Sequence, residues 1–285
     1  MPDKNLMGSL YLNLPYLLPR LVRRFLPETL VRGLLLRHII IRPGLETSRP
    51  FAAVQRYTEV LSARSISFGG KRVLVFGYGG RFDIGFGLLK KGAAHVILCD
   101  RYAPPDEPHN RQLFGAEAEY FQVEKQGLRP RPERMTLLQA DIRDEGVVRG
   151  IEPVDIVLSS SVYEHVDDVE GITRALARLT KPDGFHIHFI DLRDHFFKYP
   201  FEMLRFSESA WRKWLNPSSN HNRYRLWDYR GAFEDCFDQV EIEVLGRDEE
   251  AFRRVRSHIR PEFLSGRAEI DSVTLIRVIA SQPRA

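Results

Sequence analysis

Gly77, Gly79 and Gly80 follow the apolar run "RVLVF" (72–76). Asp100 closes a second apolar run 23 residues after Gly77, and Asp141 closes a third. Residues of these types at these places suit a nucleoside. Glycines in a strand-to-helix turn let a ligand touch the backbone. A carboxylate at the next strand end can accept hydrogen bonds from both hydroxyls of a ribose. At the third strand end, an acid or the backbone after it can reach an adenine edge. Alone, a Gly-x-Gly-Gly can be a plain turn, and an Asp after a strand usually caps a helix or makes a turn. The weight lies in all three falling at successive strand ends. The expected cofactor contacts are Gly77, Tyr78, Gly79, Asp100, Arg101, Asp141, Ile142 and Ser160.

A second set of residues suits proton transfer. Tyr163, Glu164 and His165 follow "VDIVLSSS" (154–161), and Asp191, Arg193, Asp194 and His195 crowd the end of "FHIHFID" (185–191). A histidine or carboxylate there could accept a proton from a hydroxyl acceptor. His165, Asp191 and His195 are the catalytic candidates. Tyr163, Arg193, Asp194, Asn222, Arg223 and Arg225 are the candidates for holding substrate. Strand alternation puts His186 and His188 on one face and Asp191 on the other, so the two histidines are expected to be packed and hydrogen-bonded. No metal site is expected.

The elements that must position these residues alternate. Strands are expected at 72–76, 95–100, 135–141, 154–161, 185–191, 240–245 and 272–280. Helices are expected over "IGFGLLKKG", around "RQLFGAEAEYFQVEK", over "VEGITRALARLT" (169–180, stopped by "KPDG") and over "LWDYRGAFEDCF". This is an α/β pattern: a Rossmann-like, seven-stranded, mostly parallel sheet with helices on both faces, preceded by an N-terminal helical segment. The division expected is 1–68 for that segment and 69–285 for the main domain. The long aromatic and arginine-rich connection around 196–228 is expected to be a substrate lid.

Of 285 residues, 43% are hydrophobic and 28% charged, the balance of a globular protein. Two distant cysteines, Cys99 and Cys236, suit a reducing, cytoplasmic setting better than a disulfide or zinc scaffold. Net charge is +4, yet residues 1–50 hold eight Lys/Arg against three acids, so the remainder is near neutral. That excludes nucleic acid as the expected partner. Leu18, Leu21, Val22, Phe25 and Leu26 recur at helical spacing among Arg20, Arg23 and Arg24, and "PETLVRGLLLRHIII" reads as a second helix. Residues 15–42 therefore either cap the main domain or lie against the inner membrane face. The first apolar stretch, "LYLNLPYLLPRLV", holds two prolines and is unlike a secretory leader. No run approaches the roughly 18 apolar residues of a spanning helix.

Two cofactors use a glycine loop with a ribose acid. A dinucleotide wants a third glycine three positions after Gly79, where this chain has Phe82. S-adenosylmethionine carries no phosphate and asks less of the turn.

In "VLVFGYGGRFDIG", Asp100 and "SSSVYEHVDDVEGITRALARLTKPDG" the chain resembles the class I S-adenosylmethionine-dependent methyltransferases. It is most similar to their small-molecule, type 11 group, whose "VLEH" and "LKPGG" signatures the last segment follows. The resemblance spans about residues 71–280. It implies transfer of a methyl group from S-adenosylmethionine to a small or lipid-linked polar acceptor, with oxygen as the expected atom. It also places the Tyr163–His165 stretch beside the cofactor. One departure is Val75, where such enzymes often carry an acid. Contacts to the amino-acid end of the cofactor then fall to Arg81, Asp83 or the Gly77–Gly79 backbone. The competing readings are a nicotinamide-dependent reductase and a non-catalytic protein that keeps the fold.

Overall fold

The computed structural model describes residues 14–27, 30, 48–113, 119–125, 127–196, 198–216 and 221–284. Most of the second N-terminal helix expected over 27–41 lies outside them. The described residues fall into two compact units. The larger holds those of Pro43–Ile190, Trp227–Glu243 and Arg277–Ala285; the smaller holds those of Met1–Arg42, Asp191–Leu226 and Val244–Ile276.

The larger unit is built on the sheet. Its strands are β1 (Arg72–Phe76), β2 (His95–Cys99), β5 (Met135–Leu138), β6 (Val154–Ser160), β7 (Thr180–Asp191), β8 (Phe237–Arg247) and β9 (Val273–Pro283), in the order β5-β2-β1-β6-β7-β9-β8. β5, β2, β1, β6 and β7 pair in parallel. β8 and β9 run oppositely: Ser281 meets Gln239 and Arg277 meets Glu243, so one number rises as the other falls. Nearly every residue of β1, β2 and β6 is buried, as strands covered on both faces require. Helices α2 (Pro50–Ser62), α3 (Asp83–Lys90), α4 (Val169–Arg178) and α5 (Leu226–Glu234) supply cover. α2 lies close on α3, because at Gly87 a side chain would meet Val54 Cγ2 at 2.9 Å.

All seven strands stand where the sequence puts them, with two corrections nearby. Of the helix expected around 111–125, the described residues show a short turn over Arg111–Leu113 and, at its end, a hairpin of β3 (Phe121–Glu124) and β4 (Gly127–Pro130) instead; residues 114–118 lie outside them. Phe121 and Leu128 are buried across a turn in which Gly127 takes φ +122°, and the Glu107 carboxylate accepts the Leu128 N–H at 3.1 Å. Alternation in "YFQVE" thus outweighs the helical spacing around it. The expected stop at "KPDG" lies inside β7. Val154 pairs with Thr180 and Ile156 with Phe185, so the strand bulges at this point.

Inside the sheet His186 and His188 form a closed relay. Thr180 donates to the Leu176 carbonyl (2.7 Å), so its oxygen accepts from His186 Nε2 (2.7 Å). His186 Nδ1 then accepts from His188 Nε2 (3.1 Å), and His188 Nδ1 accepts from the Ser159 hydroxyl (2.7 Å). Every proton has an acceptor only if both rings are neutral. Burial pushes His186 down to about 3 and drives His188 well below its ordinary value.

The smaller unit has its own core. α1 (Leu14–Phe25) turns Tyr16 and Leu17 onto Phe201, Met203, Leu204, Trp211 and Leu215, with Phe252 of α6 (Glu249–Val255) and Ile259 completing the cluster. Within it lies a buried ion pair. Arg20 binds Asp194 and donates to the Leu215 carbonyl at 3.1 Å, while Tyr16 donates its hydroxyl to Asp194 at 2.5 Å. The guanidinium lies 4.7–4.9 Å from the ring centres of Tyr16, Phe196 and Trp211. Burial pushes the Asp194 carboxyl up, and Arg20 and Tyr16 pull it back. Among the described residues no helix is long and apolar enough to cross a membrane.

Two stability predictions follow from these contacts. Asp194→Ala leaves Arg20 charged and buried without its partner, and should cost about 3–5 kcal/mol in urea unfolding; Asp194→Asn, which keeps hydrogen-bonding atoms there, should cost less. The unfolded chain protonates its histidines near pH 6.5, whereas folded His186 stays neutral to about 3. The stability contributed by neutral burial is therefore intact above about pH 6.5 and falls with pH by about 1.4 kcal/mol per unit for each histidine. The urea midpoint should drop from pH 7 to pH 5, and His186→Asn should flatten that slope.

Candidate active site

The chain passes from β1 to β2 and β5 on one side and then to β6 and β7 on the other, so strand order reverses between β1 and β6, and ligands of such sheets bind beyond the carboxyl ends there. The glycine loop lies there. Gly77, Gly79 and Gly80 take φ of +79°, +71° and +86°, a region that disfavours other residues. At Gly77 a Cβ would come within 2.3 Å of Val162 Cγ2, and at Gly80 within 2.3 Å of the Pro104 carbonyl oxygen. Packing within the chain thus accounts for two of the glycines. Gly79 donates its N–H to Asp100 Oδ2 at 3.1 Å, and Asp100 Oδ1 accepts the N–H groups of Tyr102 and Ala103, both at 2.8 Å. One carboxylate therefore holds the loop after β1 against the loop after β2. Oδ2 accepts this one bond and has capacity for another, as a ribose hydroxyl would need.

The segment after β2 closes on the glycine loop. The Gly80 carbonyl accepts from Asp106 N (2.9 Å) and Asn110 Nδ2 (3.0 Å), and Asn110 Oδ1 accepts the Phe82 N–H (3.0 Å). Phe82, at the third-glycine place, stacks between Tyr78 (6.5 Å) and Phe121 (6.0 Å) and is wholly buried. The Tyr78 ring belongs to this stack, where burial raises its pKa, so only its backbone can meet a cofactor. Arg81 pairs with Asp106 (3.0 Å) and Asp83 with His109 (2.8 Å). The buried carboxylate of Asp83 in the first turn of α3 takes up the positive end of that helix, which a pyrophosphate would need.

At the tip of β5, Asp141 is held on both oxygens. Arg143 binds it through Nε (3.0 Å) and Nη2 (2.7 Å), and Arg101 binds it from the tip of β2 (2.7 Å). The Arg143 guanidinium beside it holds the carboxyl down to about 2. Arg143 reaches on to Asp168 (3.1 Å), the N-cap of α4. The Ile142 side chain beside it is buried.

At the end of β6, Ser160 is buried and Ser161 sits at φ +56°, a left-handed conformation rare for serine. Its N–H donates to the Phe189 carbonyl at 2.9 Å. Tyr163 turns inward: its ring packs on Phe76, His188 and Phe233, and its hydroxyl donates to Thr173 Oγ1 at 3.3 Å, which itself donates to the Val169 carbonyl. Tyr163 is a core residue, and its expected substrate contact is corrected accordingly. His165 is half-buried in the turn that follows, its N–H on the Val162 carbonyl at 2.8 Å.

The remaining candidates belong to the smaller unit. Arg193 clamps Asp191 through Nε (2.9 Å) and Nη2 (2.6 Å). Asp194 is the buried partner of Arg20. Arg223 is buried on the carbonyls of Met203 (3.1 Å) and Phe206 (2.5 Å) with Glu208, and Arg225 on those of Leu192, Asp271 and Val273. Each of these three side chains ties loops together, which corrects their expected role on substrate. Asn222 accepts the Tyr224 N–H at 3.2 Å, and His195 packs edge-on against His221 at 4.3 Å. Sequence reading missed Asn110, Arg143 and Ser161. "DEPHN" carried a helix-cap signal for the first; the other two have none, because ion-pair partners and backbone angles do not show in spacing.

Residues 107–188 match the model of a family described as a methyltransferase domain. Among solved structures, the chain is similar to geranyl diphosphate methyltransferase in complex with S-adenosylmethionine: TM-score 0.50, 11% identity, 81% of this chain and 85% of that one covered. It is also similar to Haemonchus contortus phosphoethanolamine N-methyltransferase 2 in complex with phosphomonomethylethanolamine and S-adenosylhomocysteine. Here the TM-score is 0.51 at 14% identity, over 93% of this chain and 60% of that one. No curated protein matches. The described residues share the Rossmann-like fold of these S-adenosylmethionine-dependent methyltransferase structures.

Gly77→Ala should destabilise the protein by at least the about 1–2 kcal/mol of a left-handed non-glycine residue, seen as a lower melting temperature. Adding Val162→Ala should recover only the part due to the clash.

Proposed function

We propose that the protein transfers a methyl group from S-adenosylmethionine to a small or lipid-linked polar acceptor. The observation that carries this is the Gly79–Asp100 link at the point where strand order reverses, which offers backbone and carboxylate together to a nucleoside. When bound, the cofactor supplies a methyl group already activated by its sulfonium. The chain's own work is then to bind, align and exclude water. Asp100 would accept a ribose hydroxyl at Oδ2. The Gly77–Gly79 backbone would meet the amino-acid end, since Arg81 and Asp83 are engaged elsewhere. Ile142 would face the adenine, and Ser160 would line the sulfur side. Oxygen is the acceptor atom we favour, because half-buried His165 at the end of β6 could take up a hydroxyl proton. Asp83 at the head of α3 and the buried Phe82 speak against a dinucleotide.

A lipid-linked acceptor would bring the enzyme to a membrane surface, and the outward face of α1 supports that version of the reading.

Calorimetry with S-adenosylhomocysteine and NADH tests the proposal. The folded protein should bind the first and ignore the second. Asp100→Ala should lose about 1.5–3 kcal/mol of that affinity, the range of a charge-assisted hydrogen bond. A folded protein that binds neither ligand, or an Asp100→Ala variant that is folded and binds undiminished, sinks the assignment.

A further inference from the structure

α1 is apolar on two sides. Tyr16, Leu17 and the aromatic-boxed Arg20 face the core of the smaller unit. Leu14, Leu18, Val22 and Phe25 face outward and are 59%, 55%, 52% and 77% exposed. At about 100° per residue these four fall within an arc of about 80°, so they form one stripe along the helix. Large apolar side chains exposed singly are ordinary, but four in a row on one helix are not. Pro15 and Pro19 extend the same exposed side. Pro19 stands inside the helix and removes one backbone donor, so the Arg20–Asp194 pair and the Tyr16 hydroxyl are what hold the helix in this rotation.

The surroundings of the stripe are basic. Trp214 in the adjoining turn (Trp211–Leu215) is 42% exposed, with Arg24 at 5.9 Å and Lys213 at 5.3 Å from its ring. α1 contains no acidic residue. The sequence after it, "VRGLLLRHIIIR", repeats the same mixture of arginines and aliphatic residues. An indole flanked by cations beside an aliphatic ridge has the chemistry of a lipid headgroup boundary. The ridge enters the acyl region, the indole sits at the interface, and the cations meet anionic phosphates.

We infer that Leu14, Leu18, Val22 and Phe25, with Trp214, Arg24 and Lys213, dock this protein on an anionic phospholipid surface. The inference deepens the lipid-linked version of the proposed reaction, but vesicle binding needs no cofactor and is measured apart from it.

The test is co-sedimentation of the full chain with phosphatidylcholine vesicles, with and without about 30% phosphatidylglycerol, at low salt and at about 0.5 M salt. Binding should require phosphatidylglycerol and weaken at high salt. Leu18→Glu/Phe25→Glu should bind at least about tenfold more weakly, and Arg24→Glu/Lys213→Glu should lose the preference for phosphatidylglycerol. All these side chains are exposed, so melting temperature and S-adenosylhomocysteine affinity should stay those of the parent. Three results would overturn the inference: no sedimentation of the parent, undiminished binding of Leu18→Glu/Phe25→Glu, or a dimer on gel filtration that this variant dissolves, which would make a second copy the occupant. Loss of homocysteine-product binding in the parent would strike the proposed reaction and leave the vesicle result standing.

Discussion

One backbone hydrogen bond, from Gly79 to the carboxylate of Asp100, decides the shape of the candidate site. It can form only because Gly79 takes a left-handed turn and because β1 and β2 run in parallel with their carboxyl ends level. The same carboxylate collects two further N–H groups from its own loop, which fixes the loop without consuming its second oxygen. A rigid acid at the switch point of the sheet is what a ribose requires.

Beside that acid the chain's own side chains fill the places that a phosphate site of this architecture uses. Phosphate recognition by this architecture depends on a bare helix N-terminus and on a glycine that lets helix and strand approach. Here Asp83 occupies the head of α3 with His109 as its partner, and Phe82 sits in an aromatic stack that fastens the β3–β4 hairpin. Both features suit an uncharged nucleoside with a positive sulfur. The loop after β1 is itself held by Asp100, Asn110 and Asp106.

Each unit holds one buried polar cluster whose members partner one another. The Ser159–His188–His186–Thr180 relay lets two histidines sit in a sheet that is otherwise aliphatic, at the cost of confining both to the neutral form. In the smaller unit, Asp194 and the rings of Tyr16, Phe196 and Trp211 surround Arg20. That arrangement spends the inner side of α1 on the protein and leaves an equally apolar outer side unspent, which an ordinary amphipathic helix does not do.

The strands, their order of appearance and the glycine–Asp100 pair were legible in the chain alone. Apolar runs of five to seven residues punctuated by glycine and aspartate have few other uses, and their meaning is local. The hairpin at β3–β4 was not legible, because its segment also carries a helical spacing and the choice was made by Phe121 finding Phe82 far away in sequence. The polar residues after β7 were legible as a cluster, but not as to purpose. Asp194, Arg223 and Arg225 have the composition of a substrate site, yet their partners, Arg20, Met203 and Leu192 among them, come from distant stretches and turn them inward. Spacing along the chain tells which residues share a strand end or a helix face. Which of them meet a ligand and which meet each other is decided only when remote segments pack, because a charge removed from water takes whatever counter-charge the fold brings to it.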